Sequence, residues 1–385
     1  MTIDVFMIGL RNISGTQGGI ETHVHHLSRE LDQLGLRVAV AVRSPYAPRG
    51  QVLAGTNIRI IRLWSPSMQA LETIVHSIIA ILYAAVTRPR LVHVHAVGPS
   101  VVLPLARLFG LKVIATHHGE DYRREKWGPV ARLILRCGET CQAWFAHGLI
   151  CVSRSLSKTL ASRHGREFRF IPNGVARMDG HSHSGILHEL ALTPQRYMLA
   201  VSRLVPEKRH LDLIEAFAGL RRERVKLVIV GAADHESAYS KRLYEAARRD
   251  RNIVLAGFRK GAQLSELYEH AAVFALPSSH EGLPIALLEA MAHGLKIVAS
   301  DIPAHRDLEL GEQSYHPVGN VPELGARLRV QLDADTPRPD WSAQLQPLRW
   351  DAIAAASLLA YRDVDPRIGA QPQPIQSPPL STAVS

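Results

Sequence analysis

Runs of consecutive apolar residues, each the length of a buried strand, alternate along the chain with longer stretches whose apolar positions return every three or four residues. In the first half, DVFMIGL, RVAVAV, LVHVHAV and KVIATHH are of the first kind, while GIETHVHHLSRELDQLG is of the second. Such alternation predicts a parallel sheet wrapped by helices, and LICVS and RFIPNGV extend it. From Ala176 to Thr193 a segment rich in His, Ser and Gly breaks the rhythm and reads as an interdomain linker. The rhythm resumes with YMLAVSRL, KLVIVGAA, NIVLAGF, VFALPSS and KIVAS, separated by amphipathic stretches such as HLDLIEAFAGL. That is a second doubly wound domain.

The expected organisation is therefore an N-terminal Rossmann-like domain over 1–175, a linker over 176–193 and a second Rossmann-like domain over 194–349. WDAIAAASLLAYRDV, at 350–364, is a last helix that is able to cross back to the N-terminal domain. The remainder, 365–385, is too poor in apolar residues to order itself and reads as a disordered tail.

A chain of 385 residues suits two domains rather than one core. Lys and Arg outnumber Asp and Glu by 45 to 35, which favours an anionic partner: a phosphorylated ligand, a nucleic acid or an acidic membrane surface. No nucleic-acid motif or aromatic stacking pattern accompanies the charge, so nucleic acid is not expected. The opening MTIDVFMIGL lacks a basic leader and cleavage site and reads as a first strand. Cys137, Cys141 and Cys151 form neither a secreted disulfide framework nor a paired metal motif, and read as buried thiols in a reducing cytoplasm. The longest apolar run, TIVHSIIAILYAAV, is shorter than the roughly 20 residues of a membrane span and is expected as a core helix. Arg88 and Arg90 directly after it allow an interfacial attachment instead.

Within EGLPIALLEAMAHGLKIVAS, Glu289 is the one charge between Leu283 and Gly294, a stretch that otherwise reads as a fully buried helix. An unpaired carboxylate there costs several kcal/mol, so it must answer either a cation or a ligand. Ligands of open parallel sheets bind beyond the carboxyl ends of strands, and the loop from Ser278 to Gly282 follows such an end. Pro284 suits the first turn and Gly294 the position past the last, leaving unpaired N–H groups near Leu283 that face the loop and suit a phosphate. Arg203 and Lys208, in SRLVPEKRHLDLIEAF, fall at another strand's carboxyl end, where they either neutralise a diphosphate or are merely solvated. GTQGGIETHVHHL brings Gly18 and Gly19 to the start of the first helix, without the GxGxxG spacing of a dinucleotide fingerprint.

Taken together, Glu281 and Glu289 in SSHEGLPIALLEAMAHG, with SRLVPEK, GGIETH and IPNGV, resemble the retaining glycosyltransferases of family four, which have the GT-B fold: two Rossmann-like domains facing each other across a cleft. THHGEDYRREKWG is similar to a bacterial branch that builds surface polysaccharides and includes rhamnosyltransferases. The resemblance implies a cytoplasmic enzyme, peripheral at the inner membrane face in one version, that moves a sugar from a nucleotide-diphosphate donor to a saccharide or lipid-linked acceptor. No permanent cofactor and no metal are expected. It implies that Arg203 and Lys208 hold the donor diphosphate, Glu289 the ribose and Glu281 the transferred sugar. Gly18 and Gly19 contact the diphosphate from the other domain, Gly282 and Leu283 offer backbone N–H groups, and Gly257 and Phe258 lie near the base. His118, rather than His117, takes the place beside the reacting sugar.

Some residues depart from that pattern or stand outside it. Lys296 replaces a usual proline and Arg209 a frequent glycine, which puts loop geometry and sugar choice in question. DAD at 333–335 reads as solvated loop and not as a metal motif, the histidines at 181 and 183 as linker, and His93 and His95 as strand histidines more often than ligands. Arg123, Arg124 and Lys126 either meet an acidic acceptor or form an exposed basic loop. A non-catalytic nucleotide-sugar binder, and a phosphorylase or epimerase on the same scaffold, are the alternative functions.

Overall fold

The computed structural model describes residues 2–13, 18–66, 68–124, 127–176, 183–220, 225–233, 236–333 and 337–369. Lys126, His181, Asp335 and residues 370–385, singled out above, lie outside them. The first seven strands are β1 (Val5–Ile8), β2 (Val38–Arg43), β3 (Arg59–Leu63), β4 (Leu91–His95), β5 (Val113–His117), β6 (Gly148–Cys151) and β7 (Arg169–Phe170). They form one parallel sheet in the order β3-β2-β1-β4-β5-β6-β7. Helices α1 (Gly19–Gln33), α2 (Gln69–Thr87), α3 (Leu103–Leu108), α4 (Pro129–Phe145) and α5 (Arg154–His164) connect them. Strands β1, β2, β4 and β5 are buried along their whole length, as sheets covered on both faces require.

The second sheet is also parallel, in the order β10-β9-β8-β11-β12-β13. Its strands are β8 (Tyr197–Val201), β9 (Lys226–Val230), β10 (Ile253–Gly257), β11 (Val273–Leu276), β12 (Lys296–Ser300) and β13 (Tyr315–His316). Around it run α6 (Ile186–Glu189), α7 (His210–Ala218), α8 (Ala238–Arg248), α9 (Gly261–Glu269), α10 (Ile285–Ala292), α11 (Pro303–Arg306), α12 (Val321–Leu332) and α13 (Ser342–Leu345). The last helix, α14 (Trp350–Val364), packs on α1 and β6 of the first half. Strand order reverses between β1 and β4 in one sheet and between β8 and β11 in the other. The loops after these strands open a crevice at each reversal, which is where such sheets bind ligands.

Two segments differ from their sequence reading. Ile186 and Leu192 are buried in the core of the second half, so the end of the proposed linker is part of that half: Ile186 starts the short helix α6, which packs on α9. Residues 365–369 are ordered, because Ile368 is buried against the first core and Asp365 pairs with Lys112 and Arg367. Cys137 is exposed, so not all three thiols are buried. Among the described residues no helix is long and apolar enough to cross a membrane.

Candidate active site

The two crevices meet. The loop from Pro277 to Pro284 leaves β11 and enters α10; Pro284 stands at the N-cap, one residue ahead of the first turn expected for it, and Gly294, with φ of +65°, lies just past the end, where glycine is favoured. The neighbouring loop after β8 carries Arg203, half-buried, and Lys208. The Ser279 N–H donates to the Glu207 carbonyl at 2.8 Å, which ties the two loops together. Lys208 Nζ then donates to Glu281 Oε1. Burial alone would raise the Glu281 carboxyl; Lys208 beside it, with His305, holds it below the ordinary range. An ammonium has three N–H donors, so two of those on Lys208 remain for a phosphate.

Across the gap stands the turn after β5. A Cβ on Gly282 would lie 2.0 Å from the His118 carbonyl oxygen, so only glycine allows this approach there, while Gly119 beside it sits at φ +137°, a conformation that favours glycine. The His118 ring pairs with His95 through Nε2 and Nδ1 at 3.1 Å and meets the edge of His23 with centroids 4.8 Å apart. His23 lies one helical turn from Gly19, so the start of α1 faces the same place. Space around Gly19 is open, whereas the Glu21 carboxylate folds back onto Gly18. Gly19 is therefore the better placed of the two for a ligand.

Glu289 has no cation partner among the described residues; the group it meets there is a tyrosine. Glu289 Oε2 lies 2.9 Å from the Tyr268 hydroxyl, whose single proton is shared between that carboxyl oxygen and the Ala286 carbonyl 3.1 Å away. Burial pushes the Glu289 carboxyl up to about 7, against the smaller opposing effect of Tyr268. An unfolded glutamate releases its proton near 4.5, so between that value and 7 the folded chain holds a proton the unfolded chain has lost. Stability from this group is complete below the unfolded value and is lost as pH rises through the folded one. Glu289→Gln, neutral throughout, should reduce the fall in Tm between about pH 5 and about pH 8 by about 1–3 °C. An unchanged slope in differential scanning fluorimetry would contradict the protonated state.

Gly257 ends β10 and Phe258 follows it, two strands from β8 and hence about 10 Å away. Phe258 is 40% exposed, a free aromatic face at that edge. Leu283 turns its carbonyl to the Asn173 amide at 2.6 Å, and Asn173 Oδ1 meets His23 Nδ1 at 2.9 Å. Asn173 thus joins the two halves, and so does Asp307, which accepts from Ser153 Oγ at 2.8 Å and from the Ser155 N–H at 3.1 Å. Neither residue was given a role in the sequence reading. Asn173 and His23 stood inside the quoted IPNGV and GGIETH, but nothing in one chain's order says that residues 150 apart touch.

The departures have local explanations. Arg209 sits at φ +52°, a conformation glycine adopts freely, and pairs with Asp212 at 2.6 Å. Lys296 opens β12 at the end away from the ligand crevice and donates to the Asp333 carbonyl at 2.8 Å, so it does not touch the site. Arg123 pairs with Glu120 at 2.6 Å, and Arg124 with Asp121 at 2.7 Å and with Glu207 of the other half at 3.7 Å. These two arginines are engaged in ion pairs. Nearby, a recess of about 620 Å³ is lined by Tyr122, Arg132 and Arg136, and by Arg123 and Arg163 together with the Glu120 and Glu139 carboxylates they pair with.

Two parallel α/β halves with facing crevices define a GT-B chain, and comparison with known proteins gives the family of each half. Residues 17–177 match the model of Glycosyltransferase Family 4, and residues 188–313 that of Glycosyl transferases group 1. The chain belongs to the glycosyltransferases of GT-B fold. It is 36% identical over 109 residues to a glycosyltransferase of Methanocaldococcus jannaschii, 28% of each chain. It is 25% identical over 184 residues to the O-antigen chain mannosyltransferase B of Escherichia coli, covering 46% of this chain and 48% of that one. These matches span less than half the length of either relative. Among solved structures, sucrose-phosphate synthase of Thermosynechococcus elongatus superposes with a TM-score of 0.79 at 20% identity, covering 94% of this chain and 99% of that one. Anabaena HepE in complex with UDP-glucose gives 0.74 at 19%, covering 92% and 99%.

Proposed function

We propose that the chain is a retaining, nucleotide-sugar-dependent glycosyltransferase of surface polysaccharide biosynthesis, moving a sugar to a saccharide or lipid-linked saccharide. The observation that carries this is the convergence of Lys208, Glu281 and Gly282 from one half with His118 from the other, at the strand-order reversals of both sheets. Lys208 and Arg203 neutralise the donor diphosphate as it leaves, Glu281 accepts from hydroxyls of the transferred sugar, and Glu289 accepts from the ribose. The bond between the anomeric carbon and the phosphate oxygen breaks, the acceptor oxygen bonds to that carbon on the same face, and the acceptor proton passes to a phosphate oxygen. Burial holds the His118 imidazole well below its ordinary pKa, so it serves as a neutral hydrogen-bonding group beside the sugar. No side chain is needed as general base, and none of these roles calls for a metal.

Electropositive side chains by the recess suit an acidic acceptor. Arg136 stacks over the Tyr122 ring at 5.5 Å, and neither Arg132 nor Arg136 has a carboxylate partner among the described residues. Beside them on α4 the exposed side chains Val130, Leu133, Cys137 and Trp144 fall on one stripe, and Val86 and Leu108 are exposed on the adjoining α2 and α3. An apolar stripe flanked by arginines fits peripheral contact with the inner membrane face, where a lipid-linked acceptor resides.

Purified protein with a nucleotide-sugar panel and candidate acceptors tests the reading: nucleoside diphosphate should be released with a new glycosidic product. Binding without release would favour the non-catalytic binder, and turnover requiring only free phosphate, or isomerising the donor, would favour a phosphorylase or epimerase. Glu289→Ala should weaken nucleotide affinity by about tenfold, while Glu281→Ala should lower kcat by about 10- to 100-fold. Unaltered values in both would contradict the roles given to the two acids.

A further inference from the structure

We propose that His23, His95 and His118 form a binding site for one divalent ion of borderline softness, of the Zn²⁺ or Co²⁺ type. The three side chains come from α1, the end of β4 and the turn after β5, and one nitrogen from each lies within 4.8 Å of the others. Tetrahedral coordination at the Zn–N distance needs nitrogens about 3.3 Å apart, so each ring has to shift by less than about 1 Å.

The hydrogen bonding around the rings already has the form of a ligand set. The Asn173 amide donates to the Leu283 carbonyl, which fixes Asn173 Oδ1 as the acceptor from His23 Nδ1. Nε2 of His23 is therefore the nitrogen with the free lone pair. A ring N–H held by an oxygen while the other nitrogen faces inward is the usual second shell of a metal-bound histidine. His95 shares one hydrogen bond with His118, at 3.1 Å, and whichever ring donates, Nε2 of His95 is left buried with no partner. His95 is fully buried, so no water-exposed surface satisfies that atom. An orphaned buried ring nitrogen has a cost of about 1–3 kcal/mol that bonding to an ion removes. His118 is only half-buried, which gives an ion a way in and leaves its fourth position toward the crevice.

Imidazole suits Zn²⁺, Cu²⁺, Ni²⁺ and Co²⁺ and disfavours Mg²⁺ and Ca²⁺. On the function proposed above, such an ion takes the His118 ring away from the sugar, so it inhibits transfer and is not a cofactor. The binding itself does not depend on that function, and is measured without donor or acceptor.

The full chain, freed of metal with a chelator, is titrated with Co²⁺ and followed by visible d–d absorption. A signal saturating at one Co²⁺ per chain and bleached by Zn²⁺ is expected. His23→Asn and His95→Asn, each checked for cooperative thermal unfolding, should weaken Co²⁺ binding at least tenfold, while His183→Asn, an exposed control, should leave it unchanged. Asn173→Ala, which removes no ligand, should weaken it by about tenfold. The absence of a saturable one-to-one signal in the wild-type chain overturns the proposal, and so does the same isotherm in the wild type and any folded ligand variant. The wild-type titration decides the matter even where a variant fails to fold.

Discussion

Lys208→Ala should lower kcat for sugar transfer on the order of 10²- to 10³-fold, the usual effect of removing one preorganised group that meets charge developing in a transition state. Lys208 stands at the reversal of the second sheet with one N–H on Glu281 and its remaining donors available. Its removal has a second consequence. Glu281, whose side chain is 11% exposed, loses the cation that holds its carboxyl down, and its pKa should rise. Transfer by the alanine variant should therefore show a new loss of rate on the acid side. Lys208→Arg keeps the charge and should retain part of the activity. Steady-state kinetics across pH check both points, and an alanine variant with wild-type kcat would remove Lys208 from the chemistry.

Gly282→Ala should cost about 10²-fold or more in turnover without unfolding either half. The added carbon would sit 2.0 Å from a backbone oxygen, and backbone cannot rotate out of the way as a side chain does. The two halves must part locally by about 1 Å, a misplacement of reacting groups that by itself costs about 10²-fold. Donor affinity should fall less, since Lys208 and Glu281 both belong to the second half. Single-turnover rates beside donor titrations separate the two effects. A variant with unchanged turnover would show that the approach of His118 to Gly282 plays no part in transfer.

The sheets were legible because parallel strands buried on both faces become continuous apolar runs, as VFMI, VIATH and KIVAS illustrate. Edge strands were not. β3 is nowhere fully buried, with Arg59 and Arg62 exposed, and β13 has two residues, so neither leaves a run to read. The loops that meet at the crevice were legible for a related reason, since Arg203, Lys208 and Glu281 each follow the carboxyl end of an apolar run. What joins the loops was hidden. Glu289 answers a tyrosine on α9, Asn173 links His23 to Leu283, and Asp307 sits on the start of α5; each contact depends on folding in three dimensions and not on spacing. The helix α6 is four residues long, too short for a periodic pattern, and its surroundings in His, Ser and Gly conceal it.

The central proposal is that the crevice between the halves holds the donor diphosphate, and a crystal structure of the full chain soaked or grown with a nucleoside diphosphate tests it most directly. The two phosphates should lie within hydrogen-bonding distance of Lys208 Nζ and the Arg203 guanidinium, with the ribose hydroxyls on the Glu289 carboxylate and the base toward Phe258. A diphosphate bound elsewhere, with Lys208 still held by Glu281 alone, would contradict it.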